Sequence, residues 1–240
     1  MIVLRKAKDR GQADHGWLKT AHTFSFGDYF DRRHMSFRSL RVINDDWIAP
    51  ATGFPTHPHQ DMEIITYVLS GELAHRDSMG NGSIIKPGEV QRMTAGTGVY
   101  HSEANPSESE ALRLLQIWIV PEKKGLEPGY EQKFFSRDEK LGRLRVVASR
   151  DGRENSVTVH QDMSFYASVL GGDETVSFEN REERFCWIQV ARGQLTVESQ
   201  NSIHQLEQGD GVAISGREAF KIFGRAGSEG DAEFLLFDLN

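Results

Sequence analysis

The sequence predicts an all-β protein built as two consecutive barrels, and three observations carry that expectation. Short runs rich in β-branched and aromatic residues are separated by Gly, Asn, Asp and Pro; glycines recur at 71, 80, 82, 88, 96 and 98; and the second half repeats the strand-and-turn order of the first. The expected strands are Leu40 to Ile43, Glu63 to Leu69, Leu112 to Val120, Leu144 to Val147, Phe185 to Val190 and Phe234 to Phe237. Ser78-Met79-Gly80-Asn81-Gly82 is a hairpin signal, because Asn-Gly accepts the positive φ angles of a tight turn. Only Ser136-Arg137-Asp138-Glu139 looks helical, a capping-box pattern that soon reaches Gly142.

The repeat is one of style more than of chemistry. Phe185 to Val190, Arg192 to Val197 and Gly209 to Ile214 parallel the order around Thr66 to Leu73 and Gly88 to Met93. Between the halves, Pro121 to Arg143 holds Pro121, Gly125, Pro128 and Gly129 among many charges, the composition of a surface connection. The expected units are residues 1–132 and 133–240.

Composition narrows the class. The 240 residues are 38% hydrophobic and 26% charged, ordinary for a soluble globular protein. A net charge of −7, with no basic run interleaved with aromatics, argues against direct nucleic-acid binding. No stretch approaches the roughly eighteen apolar residues of a membrane span, and Arg5, Lys6, Lys8 and Arg10 open the chain without a signal-peptide core. The single cysteine, Cys186, cannot form an internal disulfide, so the expected compartment is reducing, with the cytoplasm as default.

The chemistry is concentrated in His57-Pro58-His59 and His101-Ser102-Glu103. Each pair is spaced i, i+2, which puts both side chains on one face of a strand, so two neighbouring strands can aim three imidazoles and a carboxylate at one point. Pro58 suits a strand start or edge, and Thr94-Ala95-Gly96-Thr97-Gly98 is a small-residue turn that lets the second strand come close. Three neutral nitrogens and one carboxylate suit iron, manganese, cobalt, nickel, copper or zinc, and suit calcium or magnesium poorly. Ligands gathered on one side leave positions open for water, dioxygen or a chelating substrate.

Gly53-x3-His57-x-His59-x3-Glu63 with Gly71, and Gly98-x2-His101-x3-Asn105, resemble the two cupin motifs with some altered spacings. The chain more specifically resembles the pirin family through His22 to Phe26, Leu40 to Asp46, Gly53 to His59, Asp61 to Leu69, Asp77 to Gly80 and Gln91 to Glu103. That resemblance, dense from about Gly16 to Tyr130, implies a bicupin with metal only in the N-terminal barrel. It implies His57, His59, His101 and Glu103 as ligands, iron as the leading metal, and for Glu63, which binds metal in many other cupins, a role behind the ligands or in supporting the fold. Several bacterial members are quercetin 2,3-dioxygenases, whereas the animal member is an iron-binding nuclear cofactor of transcription.

The implied reaction takes a flavonol and O2 as partners, with Glu103 as base for the 3-hydroxyl proton and a depside and carbon monoxide as products. The alternative is a non-catalytic regulator or redox sensor acting through protein partners; a blander one is a structural metal. Phe24, Phe26 and Phe54 are candidates for an apolar wall, although each also fits a packed core. Gly96-Thr97-Gly98 lacks the third glycine and the helix of a dinucleotide site, Cys186 reads as a buried strand residue, and Glu179 to Arg184 reads as a solvated turn. His15, His22, His34 and His75 are read as lacking an i, i+2 partner and as surface or capping residues, His22 being the best placed for a family-specific role; His160 and His204 stand apart from one another.

Overall fold

A computed structural model describes residues 1–172, 174–225 and 230–240. Two seven-stranded and two four-stranded sheets form a pair of barrels, each a large sheet facing a small one. In the first barrel the large sheet runs, from edge to edge, Gly129–Phe134, Glu89–Thr94, Glu63–Ser70, Leu112–Ile119, Leu40–Ile48, Leu18–His22 and Gly11–Asp14. Its small sheet runs Gly53–His59, Val99–Ala104, Leu73–Asp77 and Gly82–Ile85. The second barrel is built the same way, so the duplication expected from the sequence is a duplication of topology, and the fold is that of a bicupin.

The large sheets are buried on both faces. One face of the first carries Ile43, Ile65, Leu115 and Ile117, which pack with Phe165, Trp187, Leu235 and Phe237 of the other large sheet in one shared core. The opposite face lines the barrel interior. Burial on both faces explains why Glu63 to Leu69 and Leu112 to Ile119 read as nearly continuous apolar runs without clean alternation. Each large apolar side chain buried in such a core contributes about 1.5–3 kcal/mol, so the interface between barrels is part of the stability of both.

Two strands trade places with the simple division of the chain. Ile2–Arg5 pairs with Gly211–Ser215 in the second barrel, and residue 132 lies inside Gly129–Phe134, which pairs with Glu89–Thr94 in the first. Arg137–Lys140 is the expected helical turn: the Ser136 hydroxyl accepts from the Glu139 N–H at 3.2 Å, and the Ser136 N–H donates to Glu139 at 2.8 Å. Its Lys140 is buried and donates to the Tyr67 hydroxyl at 2.9 Å and to Glu233 at 3.0 Å, tying the connection to both barrels. The hairpin at Ser78 to Asn81 forms, but its left-handed residue is Gly80 (φ +93°), and Asn81 is held by its bonds to Asp77. No helix among the described residues is long and apolar enough to cross a membrane.

The barrels differ in what fills them. The second is packed by Cys186, Ile188, Val190, Leu195, Val197, Phe220 and their neighbours. On the strands that correspond to Gly53–His59 and Val99–Ala104, the directly opposed pairs include Phe178 and Phe220, with ring centroids 5.7 Å apart. The first barrel has His57 opposite His101 there, and a cavity beside them.

Candidate metal centre

Gly53–His59 is the edge strand of its small sheet, which is why it tolerates Pro55 and Pro58. Its inner neighbour is Val99–Ala104, with His57 opposite His101 and His59 opposite Val99. The ring centroids of His57, His59 and His101 lie 4.8, 4.4 and 4.9 Å apart pairwise, and one nitrogen from each falls within 4.8 Å of the others. The register slips between His101 and Glu103, so that Glu103 faces Phe54. Gly53 permits this close approach: a Cβ there would sit 2.2 Å from the Glu103 carbonyl oxygen.

The donor set suits a borderline first-row metal. The Nδ1–H of His57 donates to the Pro55 carbonyl at 2.8 Å, leaving Nε2 as the free lone pair. Both ring nitrogens of His101 are buried without a hydrogen-bond partner, a costly state that a bound cation relieves. Burial, reinforced by the neighbouring His57, pushes His59 down to about 4 and His101 to about 3, so both rings are neutral near pH 7 and free to donate lone pairs.

Glu103 is buried, and both carboxylate oxygens accept from the Gln116 side chain, at 3.2 and 3.0 Å. Burial pushes its carboxyl up to about 7 against the lowering effect of Gln116 and Thr66. It meets the histidine triad through His101. A second tight group consists of His75, His101 and Glu103, again within 4.8 Å of one another. His75 therefore departs from the surface or capping position expected of it, being 1% exposed with its ring 5.3 Å from that of His101. The sequence carried a signal for it, since His75 and Asp77 repeat the i, i+2 spacing with an acid in the second place.

The cluster opens into a cavity of about 820 Å³, within the roughly 300–1,000 Å³ range of pockets for small organic ligands. Trp17 meets Phe54 edge-on at 5.0 Å, and Phe26 meets Trp118 edge-on at 5.3 Å; all four rings line the cavity. Phe24 instead packs against Trp187 at 5.0 Å in the shared core. The cavity is also lined by Thr20, His22, Asn44 and Asp46, brought together because His22 pairs with Asn44 and Thr20 with Asp46 across two strands. The His22 Nδ1–H donates to Asn44 Oδ1 at 2.8 Å, and burial lowers the ring's affinity for a second proton.

Asp46 is the least comfortable group on that wall. Its Oδ1 has no partner, and burial pushes the carboxyl from 3.8 up to about 7. A carboxyl raised on folding destabilises the protein fully above the folded value, and the penalty fades as the pH falls from 7 towards 4. Asp46→Asn should therefore raise the unfolding free energy of metal-free protein on the order of 1–3 kcal/mol at pH 8 and by roughly a third as much at pH 5. Urea unfolding at the two pH values checks this; an equal effect at both contradicts it.

Elsewhere, Glu63 is fully buried and its Oε2 accepts from the backbone N–H of His160 at 3.1 Å, with the His160 Nδ1 at 3.2 Å, so it links the two halves and lies outside the histidine groups. His204 contacts Ser202, and Cys186 lies in the packed second barrel.

A family model described as Pirin matches residues 3–119, and one described as Quercetinase C-terminal cupin domain matches residues 146–239. Over 239 residues the chain is 49% identical to quercetin 2,3-dioxygenase of Escherichia coli (strain K12), covering 100% of this chain and 99% of that protein. The crystal structure of YhhW from Escherichia coli matches with a TM-score of 0.92 at 48% identity, covering 100% of this chain and 98% of that one. The bacterial pirin YhhW in complex with nickel(II) matches with a TM-score of 0.90 at 48% identity, covering 100% and 99%.

Proposed function

Because the chain belongs to the pirin family, we propose that it is a metal-dependent dioxygenase that cleaves flavonols such as quercetin with O2, releasing a depside and carbon monoxide. The observation that carries this reading is the convergence of three imidazoles, two of their nitrogens buried and unpartnered on His101, beside an aromatic-walled cavity of about 820 Å³. His57, His59 and His101 would hold a divalent metal, with Glu103 as fourth ligand and iron as the leading candidate. The unit of residues 1–132 carries it. The unit of residues 133–240 carries none, a reading supported by the phenyl pair Phe178 and Phe220 on the corresponding strands.

When bound, the metal would act as a Lewis acid that acidifies the substrate's 3-hydroxyl. The protein's own groups do the rest. Trp17, Phe54, Phe26 and Trp118 enclose the planar ring system and keep water from it. Glu103, oriented by the Gln116 amide, takes the proton of the 3-hydroxyl on a carboxylate oxygen. The wall of Thr20, His22, Asn44 and Asp46 offers polar groups to the hydroxyls of the rings. The enzyme acts in the cytoplasm on a small aromatic substrate, without nucleic acid or membrane as partner.

The reading predicts a sharp dependence on the 3-hydroxyl. Quercetin should be consumed, followed by its visible absorbance, while the flavone that differs only in lacking that hydroxyl should bind and remain intact. Equal consumption of both would mean that proton removal at this position is not the step the site performs.

A further inference from the structure

His101 has an unsolved orientation problem, and its neighbours supply the answer. An imidazole that gives one nitrogen to a metal keeps a proton on the other, and that N–H needs an acceptor to fix the ring. His57 has one in the Pro55 carbonyl at 2.8 Å, whereas neither nitrogen of His101 has any partner. We propose that His75, held by Asp77, is the acceptor that orients His101 for metal binding.

The sheet order places Leu73–Asp77 beside Val99–Ala104, on the side away from Gly53–His59. In register, His101 is opposite Asp77 and Glu103 is opposite His75, so His101 is flanked by His57 on one side and by the His75–Asp77 pair on the other. Asp77 is a committed acceptor: it receives the backbone N–H groups of Met79 and Asn81, both at 3.0 Å, and the Asn81 amide at 3.1 and 2.9 Å. The His75 Nε2 at 3.1 Å from it must therefore carry the proton that is donated. That fixes the tautomer and leaves Nδ1 of His75 as a lone pair, buried and without a partner. A ring nitrogen of His75 and one of His101 lie within 4.8 Å, and the proposed contact requires the two rings to draw closer when the other nitrogen of His101 engages the metal. The buried lone pair left on His75 and the unpartnered ring of His101 are costly separately and complementary together.

This inference rests on the metal reading above, and cobalt(II) and copper(II) binding by the parent protein tests that reading first. His75→Leu should then weaken cobalt(II) binding, measured by competition with a chelator, by about 10- to 100-fold. His75→Asn, whose amide oxygen falls near Nδ1, should recover most of the loss. The copper(II) electron paramagnetic resonance spectrum should report the same number of coordinated nitrogens in all three proteins. Unchanged affinity in His75→Leu, with or without a lower melting temperature, would overturn the proposal. So would a loss of one coordinated nitrogen, which would make His75 a ligand. If His75→Leu does not fold, the asparagine variant decides the matter, since near-parental affinity supports the acceptor role and a full loss refutes it. Failure of the parent protein to bind either metal would overturn the underlying reading instead.

Discussion

Replacement of His101 by alanine should abolish metal binding and lower flavonol turnover by at least about 1,000-fold while the barrels stay folded. The metal's contribution to a reaction of this kind is several kcal/mol, and each 1.36 kcal/mol is a factor of ten in rate. His101 is the buried member of the three, with its ring 4.4 and 4.9 Å from the other two, so its loss opens the triad. The fold should tolerate the change because the His101 side chain makes no hydrogen bond and belongs to none of the apolar clusters that hold the sheets together. Metal content per chain, turnover and the metal-free melting curve together check this. A variant that unfolds would assign the site a structural role, and one that keeps its activity would remove the histidines from the chemistry.

Glu103→Gln separates binding from proton transfer. The amide keeps the shape and retains an oxygen for the Gln116 Nε2–H, but it cannot accept the substrate's proton. Loss of a positioned general base typically costs about 100- to 10,000-fold. The expected result is a fall of that size in kcat per bound metal, with the three histidines still retaining an ion, though less tightly. An unchanged kcat per bound metal would exclude Glu103 as the base and leave it a ligand only.

The parts of this site that were legible in the sequence are those encoded by local spacing. His57-Pro58-His59 and His101-Ser102-Glu103 needed only the two-residue period of a strand, and Pro58 marked an edge. The His75–Asp77 pair has the same period but acquires meaning only once Leu73–Asp77 is known to adjoin Val99–Ala104, a pairing set by long-range topology. The polar wall was hidden for another reason. The strand expected to stop at Ile43 continues to Ile48 through Asn44-Asp45-Asp46, a run whose β-propensity is poor. Tertiary partners hold it: Asn44 accepts from His22, and Asp45 receives the Arg113 guanidinium at 3.0 and 3.1 Å. Propensity fails there because those residues are kept polar for the cavity and for the interface between barrels. The crossing of Ile2–Arg5 into the second barrel leaves no local trace at all.

We propose that the first barrel is a metal-dependent flavonol-cleaving centre. The measurement that tests it most directly is simultaneous oxygen uptake and carbon monoxide release with quercetin, using protein loaded in turn with iron, manganese, cobalt, nickel and copper. The predicted result is that at least one loaded form consumes O2 and quercetin and releases carbon monoxide in equal amounts, and that the metal-free protein does not. If every fully loaded form leaves quercetin and oxygen untouched, the claim is wrong.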